Sequence, residues 1–498
     1  MRARYDLKQV NVIMKWILLA LYIIFNAYLL CVHEMWRDEV NVWLMGRDLS
    51  VLQLFQELKY QGHPCLWYLL VMPFAKLGLP CQIMGLLSLG IMALATWIFI
   101  FYSPFSLVAK FVLIFSPAFT YYYPVIARAY CLVALGIILA AFYYQKRYDR
   151  PIFYGLLLGL LVQAETIAVP VAGFISVIWV LESAYLDWKE RKIRYCKQTL
   201  KGVWIPMLSF FLYMATMAKV SDSPVFEVRD MGLYDTTQAV KQMLYYISTR
   251  LTGNTHLSSM ITLSVLAVLA ILWILLTKQL LPWGVFAGTV AFQVVFSVII
   301  YELNIWHFLS LIFVLLWTFW VSDKNTWGNT KWNKGIYYFT QIFLIVFGLQ
   351  TFIHWNGPVV SNLPNALHGS YSDAYNTAQF IKKNISQDEI IVEVNVPYTS
   401  TIWGFLPQYH AYFAGSGEQV SYADWSEKQS QYISFPKLQR WVETTFPNDK
   451  SFILIMSPDS YLTEWEENRE KAKMELLYQT EVLSERQEDY QIYRIYLE

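Results

Sequence analysis

The chain has 498 residues, of which 56% are hydrophobic, 17% aromatic and 15% charged. It is too apolar for a soluble protein and too long for a simple anchor, so composition predicts a polytopic membrane protein. The formal net charge of +1 gives no basic surface for nucleic acid. The absence of a glycine-rich phosphate loop and of His/Cys clusters at metal-ligand spacing argues against nucleotide chemistry. The five cysteines imply no disulfide framework, because they lie in or beside apolar runs or in a basic loop.

An apolar run at 12–32, with basic residues at 2, 4 and 8 before it and Lys15 near its start, predicts an uncleaved first transmembrane helix with its N-terminus in the cytoplasm. Basic loops at 145–150, 187–201 and 322–335 are predicted to be cytoplasmic, which leaves 220–256 outside. The candidate transmembrane spans before the basic loop at 145–150 number one more than this topology allows, and 64–79 is the weakest candidate. We expect about 11 to 13 transmembrane helices. Further spans are predicted at 83–101, 107–123, 129–145, 151–163, 166–185, 203–219, 257–276, 281–301, 306–321 and 336–353.

The segment WRDEVNVWLMGRDLSVLQLFQELKYQGHP, at 36–64, joins the first helix to the next apolar run. Ser50 is a predicted N-cap with Gln53 three residues later, and Gly62 follows the last turn. Apolar residues recur at helical spacing between these two ends. The first extracytoplasmic loop, 33–64, is therefore predicted to contain an amphipathic helix in the interface plane.

No apolar run long enough to span the bilayer follows residue 354. Patterns of helical and alternating spacing replace it, including a capping box that begins at Thr463. They predict an extracytoplasmic α/β domain at 354–498 after a transmembrane domain at 1–353. The expected fold class is thus a polytopic α-helical membrane protein with a C-terminal extracytoplasmic α/β domain. Helices are predicted at 375–385, 435–446 and 463–477, and strands at 389–394, 451–457 and 490–497.

Several motifs together carry a resemblance. They are WRDE at the end of the first helix, GHPCLWYLL after the interfacial helix, YYYPVIARAYCLVAL before the basic loop, and the C-terminal exported domain. In this combination the chain resembles the GT-C glycosyltransferases, and among them the bacterial protein-mannosyltransferase and aminoarabinose-transferase type. The resemblance implies a GT-C-like membrane fold and transfer of a sugar from a polyprenyl phosphate to an extracytoplasmic acceptor.

Such a transfer requires a base beside the acceptor hydroxyl, hydrogen-bond donors or cations on the departing phosphate, and an apolar groove for the lipid tail. Asp38 is the predicted general base, because a carboxylate at the membrane edge is partly desolvated yet reachable. Glu39 is expected to orient Asp38 or the acceptor. Arg128 is the leading phosphate ligand, since a guanidinium offers two parallel donors. With one base and no second carboxylate nucleophile, the expected outcome is inversion. Further candidates for the donor phosphate are His63, Tyr130 and His307.

Each candidate also has a purely structural explanation. Glu39 would be equally explained by an ion pair with Arg37 or Arg47, and Arg128 by snorkelling to lipid headgroups. Glu165 is expected at an exposed hairpin tip facing outside, with a cavity-lining role as the alternative. Ordinary loop roles are expected for His33 and Glu34.

Other function classes stay open. A multi-span transporter or flippase would also need polar residues, although the sequence has no internal repeat. A ligase or polymerase of lipid-linked glycans would share the site, and a scaffold that binds a surface polymer is the remaining class. No metal site is identified, although a divalent metal is conceivable with Glu39 and His63 among its ligands. The sugar and the acceptor are open, and the cysteine pattern favours a bacterial plasma membrane over other locations.

Overall fold

The computed structural model describes residues 2–217, 233–252, 256–277, 280–326, 331–355, 363–457, 462–468 and 472–497. The chain forms two compact units. The first is built from Met1–Cys31, Leu87–Met217 and Phe226–Asn362, and the second mainly from Val32–Leu86 and Leu363–Glu498. The second unit thus combines the predicted first loop with the predicted α/β region. The end of the transmembrane domain at residue 353 stays a prediction.

The helices are α1 (Arg2–Val32), α2 (Arg37–Asp48), α3 (Val51–Gln61), α4 (Leu66–Lys76), α5 (Ile83–Tyr102), α6 (Leu107–Ile114), α7 (Tyr130–Tyr143), α8 (Pro151–Val162), α9 (Val169–Glu190), α10 (Tyr195–Leu200), α11 (Trp204–Thr216), α12 (Leu233–Thr252), α13 (His256–Thr277), α14 (Leu281–Ile299), α15 (Ile305–Phe308), α16 (Ser310–Thr326), α17 (Lys331–Trp355), α18 (Leu363–His368), α19 (Ala374–Asn384), α20 (Val396–Phe405), α21 (Phe435–Thr445) and α22 (Trp465–Asn468). The strands are β1 (Ile391–Glu393), β2 (Ala411–Phe413), β3 (Gln419–Val420), β4 (Ile433–Ser434), β5 (Ser451–Met456), β6 (Leu462–Thr463), β7 (Met474–Gln479) and β8 (Gln491–Tyr496).

Six helical segments among the described residues are long and apolar enough to cross a membrane. They are Gln9–Val32, Ile83–Tyr102, Thr166–Glu190, Leu281–Ile299, Ile305–Ser322 and Lys334–Ile353. Ile305–Ser322 is 94% buried, which makes it the central helix of the first unit. Four shorter apolar helices accompany them in the described part of the chain, and α4 is one of these. With 11 residues α4 is too short to span, in line with the weakness of the 64–79 candidate.

The predicted span at 107–123 is not one helix. The α-helix α6 ends at Ile114, and an irregular turn at Ala118–Tyr122 follows, in which Thr120 is extended and Tyr121 has a positive φ of 78°. Pro117 lies at the break and has no N–H to donate. Backbone groups freed by such a break need partners inside a membrane protein. Side chains of α1 supply them, since the Tyr22 hydroxyl donates to the Phe119 carbonyl at 2.8 Å and Asn26 Oδ1 accepts the Tyr121 N–H at 3.3 Å.

The helix predicted in the first loop is confirmed as α3, and its position in the membrane interface stays a prediction. The Ser50 Oγ accepts the Gln53 N–H at 3.3 Å, and Gln53 Oε1 accepts the Ser50 N–H at 2.9 Å. This reciprocal capping box fixes the start of the helix. Gly62 ends it at φ 70°, a conformation that favours glycine. Its buried side chains include Leu54 and Leu58, which belong to the predicted apolar face.

The second unit also holds a sheet of order β3-β2-β1-β5-β8-β7 among its described residues. Strand β1 is parallel to β2 and β5, whereas β8 is antiparallel to both β5 and β7. Helices α19 and α21 and strands β1, β5 and β8 agree with the predicted elements, which confirms an α/β arrangement in this region. One layer of the core contains Val392, Phe435, Leu438, Leu454 and Ile495.

The predicted helix at 463–477 is wrong. Thr463 belongs to β6, and α22 is described at Trp465–Asn468. Met474–Gln479, inside or just after the predicted helix, form the strand β7, which pairs with β8 through Met474↔Ile495 and Leu476↔Tyr493. Local helix propensity is a weak preference, and pairing with a neighbouring strand overrides it here.

A buried carboxyl group lies at the end of β1. Glu393 is fully buried, and the Trp403 indole N–H donates to its Oε2 at 2.9 Å. Burial raises the pKa of Glu393 to about 7, well above its ordinary value of 4.5. Because the folded state holds this proton more tightly than the unfolded chain, its contribution to stability is complete below pH 4.5 and is lost as the pH rises towards and through 7.

We therefore expect the apparent melting temperature of the detergent-solubilised protein to fall between pH 5 and 8, and to fall less in Glu393→Gln. Across the whole titration, the proton on Glu393 changes the free energy of unfolding by on the order of 3 kcal/mol. Glu488, whose pKa burial raises to about 8, contributes with the same sign, so the slope should be reduced and not abolished. Equal slopes in the two proteins would contradict the assignment of the buried proton to Glu393.

Candidate functional site

The predicted catalytic acids lie in the first turn of α2, which begins at Arg37, with four residues between it and the end of α1 at Val32. Asp38 is its second residue, and its side chain is 23% exposed. The Arg37 Nε lies 3.9 Å from Asp38 Oδ1, an ion pair at the outer limit of contact. Asp38 thus combines partial exposure with a neighbouring cation.

Glu39 has a different environment. Its side chain is fully buried, the His33 Nε2–H donates to its Oε2 at 2.9 Å, and the Trp36 N–H donates to the same oxygen at 3.2 Å. The last contact satisfies one of the backbone N–H groups that every helix start leaves without a helical partner. Its ion-pair partner is therefore His33, and not Arg37 or Arg47 as one of the sequence interpretations had it.

Arg37 connects this turn to the sheet of the same unit. Its backbone N–H donates to Glu488 Oε1 at 2.8 Å, and its guanidinium carbon lies 4.0 Å from the centre of the Tyr398 ring. Burial alone would lower the pKa of Arg37, but the carboxylates of Asp38 and Glu488 outweigh it and raise that pKa. The residue is therefore a permanent cation between two acids.

The expectation of ordinary loop roles for His33 and Glu34 is wrong. Glu34 Oε2 accepts the N–H groups of Tyr371 and Ser372 at 2.7 and 3.2 Å, and His33 holds Glu39. Such backbone-binding carboxylates leave no sequence signal, because the partners lie more than 330 residues away. Two further links join α2 to the same region. Asn41 Oδ1 accepts the Ala423 N–H at 2.8 Å, and the Arg47 guanidinium donates to the Trp403 carbonyl at 3.2 Å.

His63 lies in the same unit, directly after the left-handed Gly62 that ends α3. It is half-buried and precedes Pro64. This location agrees with the predicted end of the first loop.

The first unit brings three of the four predicted phosphate ligands together. The guanidinium carbon of the buried Arg128 lies 5.2 Å from the centre of the Tyr130 ring. The Tyr130 hydroxyl lies 3.1 Å from His307 Nε2, although the two residues are 177 positions apart. Tyr123 supports this cluster, because its ring stacks on Tyr130 at 5.5 Å and its hydroxyl donates to the Trp306 carbonyl at 3.0 Å.

The tautomer of His307 follows from its backbone contact. The Asn304 N–H donates to His307 Nδ1 at 2.9 Å, so Nδ1 carries no proton and Nε2 carries one in the neutral ring. His307 Nε2–H then donates to the Tyr130 oxygen. This leaves the Tyr130 hydroxyl proton for another acceptor. A guanidinium and a phenolic donor side by side form a group suited to phosphoryl oxygens.

Glu165 is not an exposed hairpin tip. It does lie in the turn between α8 and α9, where its carboxylate accepts the Thr166 N–H at 2.9 Å, but the residue is only 2% exposed. Its burial contradicts the expected exposed position, and the cavity-lining role stays a prediction.

The second unit also contains a cavity of about 580 Å³ beside the end of β5. Its lining includes the carboxylates of Glu464, Glu467 and Asp489 and the rings of Trp465 and Tyr490. The described residues that line it offer carboxylates and rings but no basic group. Among the residues that the structure describes, no group of three or more His, Cys, Asp or Glu could hold a metal ion.

Comparison with solved structures identifies the fold. The chain is similar to ArnT from Cupriavidus metallidurans bound to undecaprenyl phosphate, with a TM-score of 0.53 and 12% identity over 98% of each chain. For the apo state of ArnT the TM-score is 0.55 and the identity 11%, over 99% of this chain and 98% of that one. ArnT is a GT-C aminoarabinose transferase. The chain has the GT-C fold. No family model matches the sequence, and neither does any curated protein.

This fold and the apolar helices confirm the predicted class, a membrane-embedded polytopic protein with a C-terminal domain that contains a sheet. The total of 11 to 13 crossings and the side of the membrane on which the C-terminal domain lies stay predictions. At 12% identity the likeness establishes shared architecture, and the reaction has to be argued from the residues.

The two adjacent acids should differ in their effect on stability. Glu39→Ala removes the acceptor of His33 and of the Trp36 N–H in a buried place, so we expect it to cost about 1–3 kcal/mol. Asp38→Ala, which truncates a partly exposed side chain, should cost about 0.5 kcal/mol or less. Thermal melting of both variants in the same detergent measures the difference, and equal losses would contradict these assignments.

Proposed function

We propose that the protein is a glycosyltransferase that moves a sugar from a polyprenyl-phosphate donor to an extracytoplasmic acceptor. The observation that carries this proposal is the likeness, over nearly the whole chain, to a GT-C enzyme crystallised with undecaprenyl phosphate. A lipid-linked donor also agrees with a membrane-embedded chain in which no nucleotide-binding motif is found. The same proposal has the C-terminal domain outside the cytoplasm, in a bacterial inner membrane.

Asp38 is the proposed general base. A base must reach the acceptor hydroxyl, and the Asp38 side chain is 23% exposed, whereas Glu39 is fully buried. The Glu34 carboxylate accepts a backbone N–H group, and the Glu39 carboxylate accepts the His33 Nε2–H. We therefore propose Glu39 as a positioning residue that holds the helix start and does not touch the acceptor.

Arg128, Tyr130 and His307 are proposed to hold the donor phosphate. The cationic guanidinium and the Tyr130 hydroxyl proton both offer donors to phosphoryl oxygens, and His307 orients that hydroxyl. These contacts strengthen as negative charge develops on the leaving phosphate, which is how they would accelerate the reaction. His63 remains a second-line candidate.

The proposed reaction is a single displacement with inversion. Asp38 takes the proton of the acceptor hydroxyl, whose oxygen forms a bond to the anomeric carbon of the sugar. The bond from that carbon to the phosphate oxygen breaks, and the electron pair leaves with polyprenyl phosphate. One base suffices for this course.

The direct test measures release of polyprenyl phosphate from a panel of polyprenyl-phosphate sugars. Purified protein in nanodiscs receives cell-envelope extract as the acceptor, with wild type beside Asp38→Asn. We expect the variant to lose about 10²–10⁴-fold in rate, because general-base catalysis contributes that much, and to retain donor binding. The sugar that reacts also names the donor.

Release at equal rates in both proteins would remove Asp38 from the mechanism. No release with any monosaccharide donor would contradict the proposal and favour a long-glycan ligase or a carrier. Flux assays with the same donors in proteoliposomes would then separate those two.

Donor affinity gives a separate prediction. Arg128→Gln should weaken binding of polyprenyl phosphate by about 10-fold to 100-fold, since charge-assisted hydrogen bonds to a phosphate contribute about 1.5–3 kcal/mol. Arg150→Gln is the matched control, because Arg150 is exposed and lies in the basic loop predicted to be cytoplasmic. The affinity for polyprenyl phosphate is measured with each protein in nanodiscs. Equal affinities in wild type and both variants would contradict the assignment of Arg128.

A further inference from the structure

One carboxyl group of the sheet region is bound directly to the turn that carries Asp38. Glu488 lies between β7 and β8 and is fully buried. Its Oε1 accepts the Arg37 N–H at 2.8 Å, and its Oε2 accepts the Ser372 hydroxyl at 2.6 Å. Arg37 is the first residue of α2, so its N–H is one of the donors that the helix itself cannot satisfy.

A second contact holds the side chain of the same residue. The Tyr490 hydroxyl donates to the Tyr398 carbonyl at 2.9 Å, and the Tyr398 ring lies 4.0 Å from the guanidinium carbon of Arg37. The same guanidinium reaches Asp38 Oδ1 at 3.9 Å. Both the backbone and the side chain of Arg37 are therefore held by residues of the sheet region, and Asp38 is the next residue in the chain.

We infer that Glu488 is a positioning residue for Asp38: by accepting the Arg37 N–H it fixes the first turn of α2, and with it the direction of the Asp38 carboxylate. This inference rests on the proposed role of Asp38 as the base. It assigns to the C-terminal domain a part in catalysis, since the domain supplies the group that holds the base. Glu488 itself touches neither donor nor acceptor in this account.

The chemistry of the contact predicts which substitutions matter. A glutamine at 488 keeps an oxygen that accepts the Arg37 N–H, and its amide can donate to the Ser372 oxygen, so the geometry is retained. An alanine removes both contacts and leaves the Arg37 N–H without its acceptor. A misplacement of the reacting group by about 1 Å can cost about 100-fold in rate.

Steady-state kinetics with a reactive polyprenyl-phosphate sugar separate positioning from folding. We expect Glu488→Ala to lower kcat by about 10-fold to 100-fold with KM for the donor within about twofold of wild type. We expect Glu488→Gln to rescue kcat to within about threefold of wild type, because the acceptor oxygen is restored. The matched control is Leu438→Ala, a fully buried residue of the sheet core, which should lower the melting temperature and leave kcat unchanged.

Hydrogen exchange supplies a readout that does not depend on activity. In the peptide that contains Arg37 and Asp38, the backbone N–H of Arg37 should exchange slowly in wild type and Glu488→Gln and faster in Glu488→Ala. Leu438→Ala should leave this peptide as in wild type. If Glu488→Ala does not fold, Ser372→Ala replaces it, because it removes one of the two contacts of Glu488 and should give a smaller change in the same direction.

The outcomes separate the two proposals. An inactive wild type, or an Asp38→Asn variant as fast as wild type, overturns the proposed function, whereas the exchange result still tests the link from Glu488 to Arg37. An active wild type that depends on Asp38 but shows the same kcat in Glu488→Ala overturns the positioning role alone. Equal losses of kcat in Glu488→Ala and Leu438→Ala would also overturn it, since both would then reflect loss of the fold.

Discussion

The start of α2 depends on carboxylates that accept backbone N–H groups. Glu39 binds the N–H of Trp36 and Glu488 binds the N–H of Arg37, while Glu34 binds two N–H groups of the segment 370–372. A helix start has no helical partner for these donors, and a buried one must find partners elsewhere. The chain therefore joins its first loop to its C-terminal region through the groups that the helix leaves open. Asp38, in the first turn of α2, stays partly exposed.

In the first unit, too, backbone groups without a helical partner hydrogen-bond to polar side chains. The break after α6 frees backbone groups, and Tyr22 and Asn26 of α1 receive or supply their hydrogen bonds. The chain then continues into the segment that carries Arg128 and Tyr130, where a contact from His307 orients the tyrosine hydroxyl. In both units, hydrogen bonds from polar side chains to non-helical backbone lie beside the candidate functional groups and fix their orientation. The irregularity is tolerated because it is buried in protein.

Features that depend on residues close together in the sequence could be predicted, whereas features that depend on residues far apart in the sequence could not. The capping box of α3 is local, so Ser50, Gln53 and Gly62 predicted both ends of that helix. Apolar runs likewise predicted β1, β5 and β8. The helix at 463–477 failed because pairing of β7 with β8 is a tertiary effect that local spacing does not contain. The contacts of Glu34 and Glu488 with residues more than 330 positions away leave no pattern at all. Arg128, Tyr130 and His307 were chosen as donor ligands from the chemistry that transfer requires, and that role stays a prediction.

The central claim is that a lipid-linked phosphate binds at the cluster of Arg128, Tyr130 and His307. An experimental structure of the protein in nanodiscs with bound undecaprenyl phosphate tests it most directly. The account predicts phosphate density within hydrogen-bond distance of the Arg128 guanidinium and of the Tyr130 hydroxyl, with His307 Nε2 still directed at the Tyr130 oxygen. Phosphate density away from all three residues, or no bound lipid phosphate at a saturating concentration, would contradict it.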